Sequence, residues 1–489
     1  MAWKTARMRR MRKRMPALGM AVLCGAVVAA AVPPAPTPLS LEEAIEQALS
    51  HNRDLAKGAL DVRGYRLAQQ EARESVRGFR VVPEGAAGMG PDGEDWRSGL
   101  RAEATGPAGT RVALAAAIRS VEVDEADEMR RGEVRVEISQ PLFREFGSLV
   151  RNEPAVAADE TLRAARRAWE RDRSALVLRV VELYEGLIYR RRQIERDEEL
   201  AGRLERLWAL ADARERQGRA TRTEVMRLDF QRGEAEARLE TGRARLEIEF
   251  QEFANLLGLP LDSAFRLDPP PLLDLDLADP ARALAVALAE RPDYAQALQE
   301  IETGDRQLRL ARRRLLPDLR LSARQTTYGE GEEWSDAGRL DQDDWFVGLV
   351  ADVDLNRRGS RLAVARSETD AEGRRQVAEI VRHRLALEVN SARTGCRRAR
   401  AELDLARRNR QLAAGRAELA RALFEAGRGS ADSVSDAESD LSGAELTELA
   451  ARREASVSAY RLLHVLGTLV PAPRDLLAAG LNEGTADEN

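Results

Sequence analysis

The sequence of 489 residues contains few cysteines, histidines and aromatic residues. It has 2 cysteines and 3 histidines, and only 4% of its residues are aromatic. The histidines (His51, His383 and His464) lie on separate predicted helices without a cysteine or carboxylate at ligand spacing, so they form no metal-binding motif. Cys24 falls in the N-terminal segment and leaves Cys396 alone, which excludes an intrachain disulfide in a processed chain. The sequence therefore predicts no metal, no cofactor and no catalytic site, and it argues against an enzyme.

Long runs free of charge are also rare, because 33% of the residues are charged. Alanine, leucine, arginine and glutamate dominate, and glycine and proline are concentrated at the joints between segments. This composition is typical of long helices packed along narrow apolar seams. The net charge of −5 argues against nucleic-acid binding.

The exception is the N-terminal segment, residues 1–31, which has seven Lys or Arg residues and no acid. An apolar run, Ala17–Val32, follows the charged part, and small residues at Ala29–Ala31 suit cleavage. This arrangement predicts a secretory signal peptide. Two alternatives remain open at this stage: an uncleaved membrane anchor, and lipidation at Cys24, although Leu23 before it is larger than the residue expected there. Removal of the segment would leave a net charge of about −12.

The rest of the chain is a tandem duplication. Shifted by 209 residues, Gly218–Gly258 aligns without a gap on Gly427–Gly467, and each copy opens with Gly-x-x-Ser/Thr and closes with Leu-Gly. Farther towards the N-terminus of each copy the offset becomes 239, which places about 30 extra residues between Arg77 and Gln140. A fixed internal period of this kind indicates that two copies of one structural unit build the fold.

The duplication predicts the following order of segments. Repeat one covers 32–268, with a helix, a β-hairpin region at about 80–140, a long helix at 147–216, a tip at 217–222 and a helix at 223–257. A linker at 269–280 leads to repeat two at 281–470, with a helix, a hairpin at 318–355, a long helix at 360–426, a tip at 427–431 and a helix at 432–466; a tail occupies 471–489. The apolar spacing and the length of the long helices predict coiled-coil packing.

The hairpin regions alternate between apolar and polar residues. Val134, Val136 and Ile138, for example, alternate with charged or polar neighbours. Such strands suit a barrel that turns its apolar face to lipid and its polar face to a lumen, with aromatic residues at the interfaces. We expect the interface aromatics to be Trp96, Tyr328, Trp345 and Phe346. A small antiparallel sheet packed on a soluble core is the alternative.

Several segments together carry a family resemblance. They are LSLEEAIEQALSHNRDL (39–55), in which Ser40 and Glu43 form a capping box, QPLFREFG (140–147), RPDYAQAL (291–298) and GRGSADSVSDAESDL (427–441). In this order and spacing they resemble the TolC-like outer membrane efflux proteins. The resemblance implies a mainly α fold with a small β part. Each protomer would be a tandem repeat of long coiled-coil helices plus four transmembrane β-strands, and three protomers would form an α/β-barrel channel-tunnel.

The resemblance also implies a function and partners. The chain would be a passive export channel in the outer membrane of a Gram-negative cell, extending into the periplasm, for small molecules or secreted polypeptides. It would form a homotrimer, sit in outer membrane lipid, and work with a periplasmic adaptor and an inner-membrane pump. A periplasmic coiled-coil adaptor or scaffold without a conducting barrel is the alternative.

Finally, the resemblance implies a periplasmic gate at the tips. In that family, acids on the helix that follows the Gly-x-x-Ser/Thr turn ring the closed entrance. The motif places Asp436 at one such position and Ser433 at another, with Asp432 beside Ser433 and Glu224 at the place in repeat one that is equivalent to Ser433; Arg222 and Arg428 are candidate partners. Ser433 stands where a second acid is expected, which weakens the case for a double ring. A solvated helix start is the alternative role for these acids.

Overall fold

The structure is a computed structural model and describes residues 37–470, except 91–92, 125–126, 219–220, 274, 276–278, 354, 427 and 429–430. The predicted signal peptide and the predicted tail at 471–489 lie outside the described residues.

Helices make up most of the described chain. In repeat one they are α1 (Leu41–His51), α2 (Arg53–Arg77), α3 (Ser148–Arg151), α4 (Glu153–Arg216) and α5 (Arg222–Leu256). In repeat two they are α6 (Pro280–Glu290), α7 (Pro292–Arg313), α8 (Trp334–Ala337), α9 (Arg358–Glu425) and α10 (Ala431–Leu466). The capping box predicted for α1 is present, because the Ser40 hydroxyl accepts from the Glu43 amide and the Glu43 carboxylate accepts from Ser40.

The longest helices, α4 and α9, have 64 and 68 residues. At about 1.5 Å per residue, each extends for roughly 100 Å. Each packs along the shorter helix that follows it in the chain, α4 against α5 and α9 against α10. Between Leu385 and Ala406 on α9 the buried residues recur at intervals of three, four and seven, as in a coiled-coil seam; they are Leu385, Val389, Cys396, Ala399, Leu403 and Ala406.

Eight strands complete the described elements: β1 (Thr37–Leu39), β2 (Arg80–Gly90), β3 (Gly93–Thr105), β4 (Arg111–Asp124), β5 (Asp127–Pro141), β6 (Phe265–Leu267), β7 (Asp318–Gly331) and β8 (Gln342–Asp352). Strands β1 and β6 form a short parallel pair. The other strands form one antiparallel sheet in the order β2-β3-β4-β5-β7-β8. Both repeats thus contribute to a single sheet, joined where β5 pairs with β7.

The sheet has six strands, two more than the four transmembrane strands expected per protomer. The roughly 30 extra residues of repeat one lie within β2 to β5, which form two hairpins where repeat two has one. Strands of 11 to 15 residues are long enough to cross a bilayer when tilted, which takes about 9–11 residues. The mainly α fold with a small β part is confirmed.

The largest buried cluster lies around the middle of α4, where α1, α5 and the β1–β6 pair meet. Tyr184, Phe253 and Leu257 are fully buried there. The Tyr184 hydroxyl lies 2.8 Å from the carbonyl oxygen of Leu39 and 2.9 Å from that of Asp268. The Tyr184 side chain therefore links α4 to the last residue of β1 and to the residue that follows β6.

None of the described helices is both long enough and apolar enough to cross a membrane.

Candidate functional site

The six-stranded sheet has one face of exposed apolar side chains. Paired residues of an antiparallel sheet share a face, so the register assigns each side chain to one of the two. The row Ala102–Leu114–Val136–Gln325–Trp345 belongs to this face. The large side chains on it are exposed, among them Val81, Leu100, Leu114, Val136, Trp345, Val347 and Leu349. An apolar surface of this extent indicates contact with lipid or with another protein.

The opposite face of the sheet carries charged residues in ion pairs. Arg101 lies 3.0 Å from Glu84 on β2, and Arg131 pairs with Glu330 on β7 at 2.5 Å. Glu133 is shared by three arginines, and its side chain is only 17% exposed. The two faces therefore differ in chemistry, as alternation in the sequence predicted.

The four predicted interface aromatics divide between the two faces. Trp345 lies on the apolar face and is 70% exposed. Trp96 lies on the same face and contacts Trp334, with the two rings tilted and their centroids 5.3 Å apart. Tyr328 and Phe346 lie on the charged face, since their register partners include Glu133 and Arg324. There the Arg131 guanidinium lies 4.0 Å from the centre of the Tyr328 ring. Their role at a membrane interface stays a prediction.

The connection from β7 to β8 folds back over the apolar face. Its short helix α8 approaches so closely that a Cβ at Gly132 would lie 2.5 Å from the Ala337 carbonyl oxygen. The Arg130 guanidinium lies 5.0 Å from the Trp334 ring centre and donates a hydrogen bond of 2.7 Å to the Glu332 carbonyl oxygen. The glycine and these contacts fix the loop on the sheet.

The predicted gate residues lie at the other end of the molecule, where α4 turns into α5 and α9 into α10. Asp436 is exposed on the second turn of α10, and Arg428 is exposed just before that helix. Arg222 begins α5 and lies 3.6 Å from Glu215 at the end of α4. Asp432 and Glu224 belong to α10 and α5, but their side chains lie outside the described residues. The gate stays a prediction.

One buried ionisable group, Glu185, and one half-buried group, His464, lie in the helical part, at the contact between α4 and α10. Burial raises the pKa of Glu185, and Arg452 and Arg453 oppose this shift only in part. Burial, helped by Arg291, lowers the pKa of His464, whose Nδ1 lies 2.7 Å from the Ser174 hydroxyl. Burial therefore disfavours the charged form of both groups.

The structure brings together a group of arginines that the sequence analysis did not single out. Arg97, Arg119, Arg131 and Arg135 line one cavity on the charged face. Each appears in the sequence as one polar residue of an alternating strand. Their proximity depends on the pairing register of three strands, which the sequence pattern does not fix. Among the described residues, no group of three or more His, Cys, Asp or Glu side chains is arranged to hold a metal ion.

Residues 283–468 match the family model described as outer membrane efflux protein. The predicted resemblance to TolC-like outer membrane efflux proteins is confirmed. The match covers α7 to α10, including β7, β8 and the second tip. No curated protein sequence matches the chain.

Solved structures of outer membrane channels and of an outer membrane protein share the fold across most of both chains. The CmeC outer membrane channel of Campylobacter jejuni has a TM-score of 0.69 at 13% identity, with 91% of this chain and 88% of that chain covered. The outer membrane protein VceC of Vibrio cholerae has a TM-score of 0.65 at 17% identity, with coverages of 87% and 96%. The MtrE outer membrane channel of Neisseria gonorrhoeae, in its open state, has a TM-score of 0.61 at 17% identity, with coverages of 88% and 89%.

Proposed function

We propose that the protein is a passive channel-tunnel of the outer membrane, which exports small molecules or secreted polypeptides. The observation that carries the proposal is the sheet, whose exposed apolar face and charged face are joined to helices of about 100 Å. A sheet with these faces suits a wall between lipid and water. A coiled-coil scaffold without a barrel has no use for an exposed apolar sheet face.

Assembly follows from the edges of the sheet. Strands β2 and β8 each have one unpaired side within the described chain, and an unpaired strand edge in lipid costs several kcal/mol per unsatisfied group. Edge pairing between copies removes this cost. We propose a homotrimer, as in the family it resembles, in which six strands from each copy close one barrel. Mass measurement in detergent should give a trimer, and a stable monomer would contradict the proposal.

The location proposed is the outer membrane of a Gram-negative cell, with the helices in the periplasm. There the helical end would meet a periplasmic adaptor and an inner-membrane pump. The resemblance supports both partners, and the predicted signal peptide supports export. Cell fractionation with N-terminal sequencing tests the location, with a mature N-terminus expected between about Ala31 and Leu39. Recovery from the cytosol with Met1 intact would contradict it.

The decisive experiment for the conduit is planar-bilayer conductance of the purified protein. A channel gives discrete conductance steps, whereas a scaffold that lacks a barrel gives none. The trimer must be shown intact in the same preparation, so that the absence of steps cannot be attributed to dissociation.

We further propose that Asp436 takes part in closing the periplasmic entrance. Its exposure at the start of α10 leaves the carboxylate able to face other copies at a threefold axis, where like charges would attract cations. Asp436→Ala should raise the resting conductance and reduce cation selectivity, and adding Asp432→Ala should enlarge both effects. The matched control is Asp440→Ala on the next turn, since Asp440 already pairs with Arg416 of the same chain. Unchanged conductance in the double variant would contradict the gate.

A further inference from the structure

The linker between the two repeats is held on the helices of repeat two through its backbone. The Arg400 guanidinium on α9 donates hydrogen bonds to the carbonyl oxygens of Leu273, at 2.9 Å, and Leu275, at 3.3 Å. The Arg452 guanidinium on α10 donates a hydrogen bond of 3.3 Å to the carbonyl oxygen of Pro270. Since carbonyl oxygens accept all three bonds, this mode of attachment suits other extended segments as well.

The internal duplication gives repeat one arginines at the same two positions. The offset of 209 residues places Arg400 on Arg191 of α4, and Arg452 on Arg243 of α5. Buried residues of the two long helices also coincide at this offset. They are Val180, Leu187 and Ile194 on α4 and Val389, Cys396 and Leu403 on α9. Repeat one therefore carries the same pair of donors on helices that pack in the same way.

A groove lies beside Arg191 in repeat one. It consists of two neighbouring cavities of about 190 Å³ and 660 Å³, and both are lined by Arg191 and Phe250. Residues 266–269 line the smaller cavity and residues 261–265 line the larger one. We term this surface, bounded by α4, α5 and residues 261–269, the β6 groove.

The direction of β1 brings the start of the chain to the β6 groove. Strands β1 and β6 run parallel, with Thr37 opposite Phe265. The residues that precede Thr37 therefore begin alongside those that precede Phe265, and residues 261–264 line the larger cavity. The nearest segment of the chain is residues 31–36, which lie outside the described residues.

Residues 31–36 also match the linker in sequence. The offset of 239 residues between the starts of the two repeats places residues 31–36 on residues 270–275, and it places the cap residue Ser40 on the cap residue Asp279. Three of residues 31–36 and two of residues 270–275 are prolines. Proline lacks a backbone N–H and favours an extended helix without internal hydrogen bonds, which leaves carbonyl oxygens available to outside donors. Both segments therefore suit the same kind of attachment.

The ion pairs of repeat one select Arg191 as the donor. Arg243 lies 2.8 Å from Glu198 and 2.9 Å from Glu240, so two carboxylates already hold its guanidinium. Arg191 lies 3.7 Å from Glu195, which is too long for a hydrogen bond. Because a guanidinium has five N–H donors, Arg191 can keep this ion pair and also donate to carbonyl oxygens.

We infer that residues 31–36 of the same chain occupy the β6 groove and accept hydrogen bonds from Arg191 through their backbone carbonyl oxygens. The offset places the carbonyl oxygens of Pro34 and Pro36 where those of Leu273 and Leu275 lie in repeat two. Both repeats then begin with a proline-rich segment fastened to a long helix. The inference concerns one protomer and does not rest on the proposed function.

Cross-linking of the full-length protein in detergent tests the position of this segment. In a background with Cys24→Ala and Cys396→Ala, the pair Ala35→Cys and Glu195→Cys places one thiol in the segment and one on the α4 wall of the groove. The short cross-linker bis-maleimidoethane should join the two thiols within one chain. The matched control replaces Glu195→Cys by Arg179→Cys, about 24 Å away along α4 and outside both cavities, and should give no link.

The rate of thiol labelling tests the role of Arg191. In the same background, the thiol of Ala35→Cys should react slowly with a bulky maleimide, because the groove shields it. Arg191→Gln should accelerate the reaction about tenfold or more, since charged hydrogen bonds are lost. Arg191→Lys keeps the charge without the planar fork and should give an intermediate rate. Arg179→Gln removes an arginine that is equally exposed on the same helix, at 56% against 55%, and should leave the rate unchanged.

Several results would overturn the inference. They are the absence of a link between the two thiols, a link only between different chains, equal labelling rates in Arg191→Gln and Arg179→Gln, and a mature chain that lacks residues 31–36. A link between chains would assign the groove to the segment of a neighbouring copy. The conductance of the wild type separates this inference from the proposed function, because an intrachain link in a protein that does not conduct would retain the groove and refute the channel.

Discussion

Gly258 lies where two segments of repeat one approach most closely, and its replacement by alanine should destabilise the helical part. Its φ of +73° lies in the left-handed region, and α5 ends there. The Leu259 amide donates a hydrogen bond of 2.9 Å to the Ala254 carbonyl oxygen. A Cβ there would lie 2.2 Å from the backbone oxygen of His51. No rotamer change can relieve this contact, because the opposing atom belongs to the backbone at the end of α1.

The cost has two parts. A left-handed conformation costs a residue with a Cβ about 1–2 kcal/mol. To relieve the contact, the end of α1 must move away from α5, which strains the hydrogen bond of 2.9 Å from the Asn52 side chain to the Leu256 carbonyl oxygen. Leaving such a buried group unsatisfied costs about 1–3 kcal/mol. Gly258→Ala should therefore cost about 2–5 kcal/mol.

Two other glycines provide matched controls. Gly218 also has a positive φ, but a Cβ there would meet no described atom within 4 Å. Gly218→Ala should therefore cost only the conformational part, about 1–2 kcal/mol. At Gly467, the equivalent of Gly258 in repeat two, the nearest atom would be 3.0 Å away, on the backbone of Glu290, and the cost should be intermediate.

The assay is loss of helical circular dichroism with temperature and with urea, on trimer-sized fractions in one detergent. The expected order of destabilisation is Gly258→Ala, then Gly467→Ala, then Gly218→Ala. If Gly258→Ala and Gly218→Ala are equally stable, the close approach of α1 to α5 does not constrain the fold, and the reasoning is refuted.

Three further changes test the buried polar groups of the helical part. Tyr184→Phe removes a hydroxyl that contacts two backbone carbonyls and should lower the free energy of unfolding by about 1–3 kcal/mol, measured by urea titration; no change would mean that water replaces the hydroxyl. Burial lowers the pKa of His464, so the folded state resists protonation and stability should fall as the pH drops below about 6.5; in His464→Gln, Tm measured from pH 7 to pH 5 should fall less than in the wild type. Burial raises the pKa of Glu185, so its contribution to stability is complete below its unfolded pKa and is lost as the pH rises through its folded pKa; Glu185→Gln should therefore raise Tm at pH 7.5, and an unchanged value would show that Arg452 and Arg453 compensate the buried charge.

The helices could be predicted from the sequence because helix formation depends on local patterns. The Ser40–Glu43 capping box and the apolar spacing of α9 each lie within a few residues of chain. Alternation around Val136 likewise predicted a strand with two unlike faces. The division of the extra residues between Arg77 and Gln140 into strands could not be predicted, because these residues have no counterpart in repeat two.

The group of arginines on the charged face could not be predicted, for a different reason. Arg97 and Arg131 lie 34 positions apart in the chain and meet through β4, which lies between their strands. A shift of one residue in either pairing would move one of them to the other face. The surroundings of Asp436 could not be predicted either, because in a gate they depend on other copies of the chain.

The unequal strand numbers of the two repeats affect how the width of an assembled tube varies along its length. The diameter of a closed sheet grows roughly with its strand number, whereas both repeats contribute the same long helices. Three copies with six strands each would form a mouth about half again as wide as one built from four strands each. The electrical resistance of a water-filled tube is concentrated where its cross-section is smallest. The strands would then add little to the total resistance, and the ends of the helices farthest from the sheet would set the rate of passage.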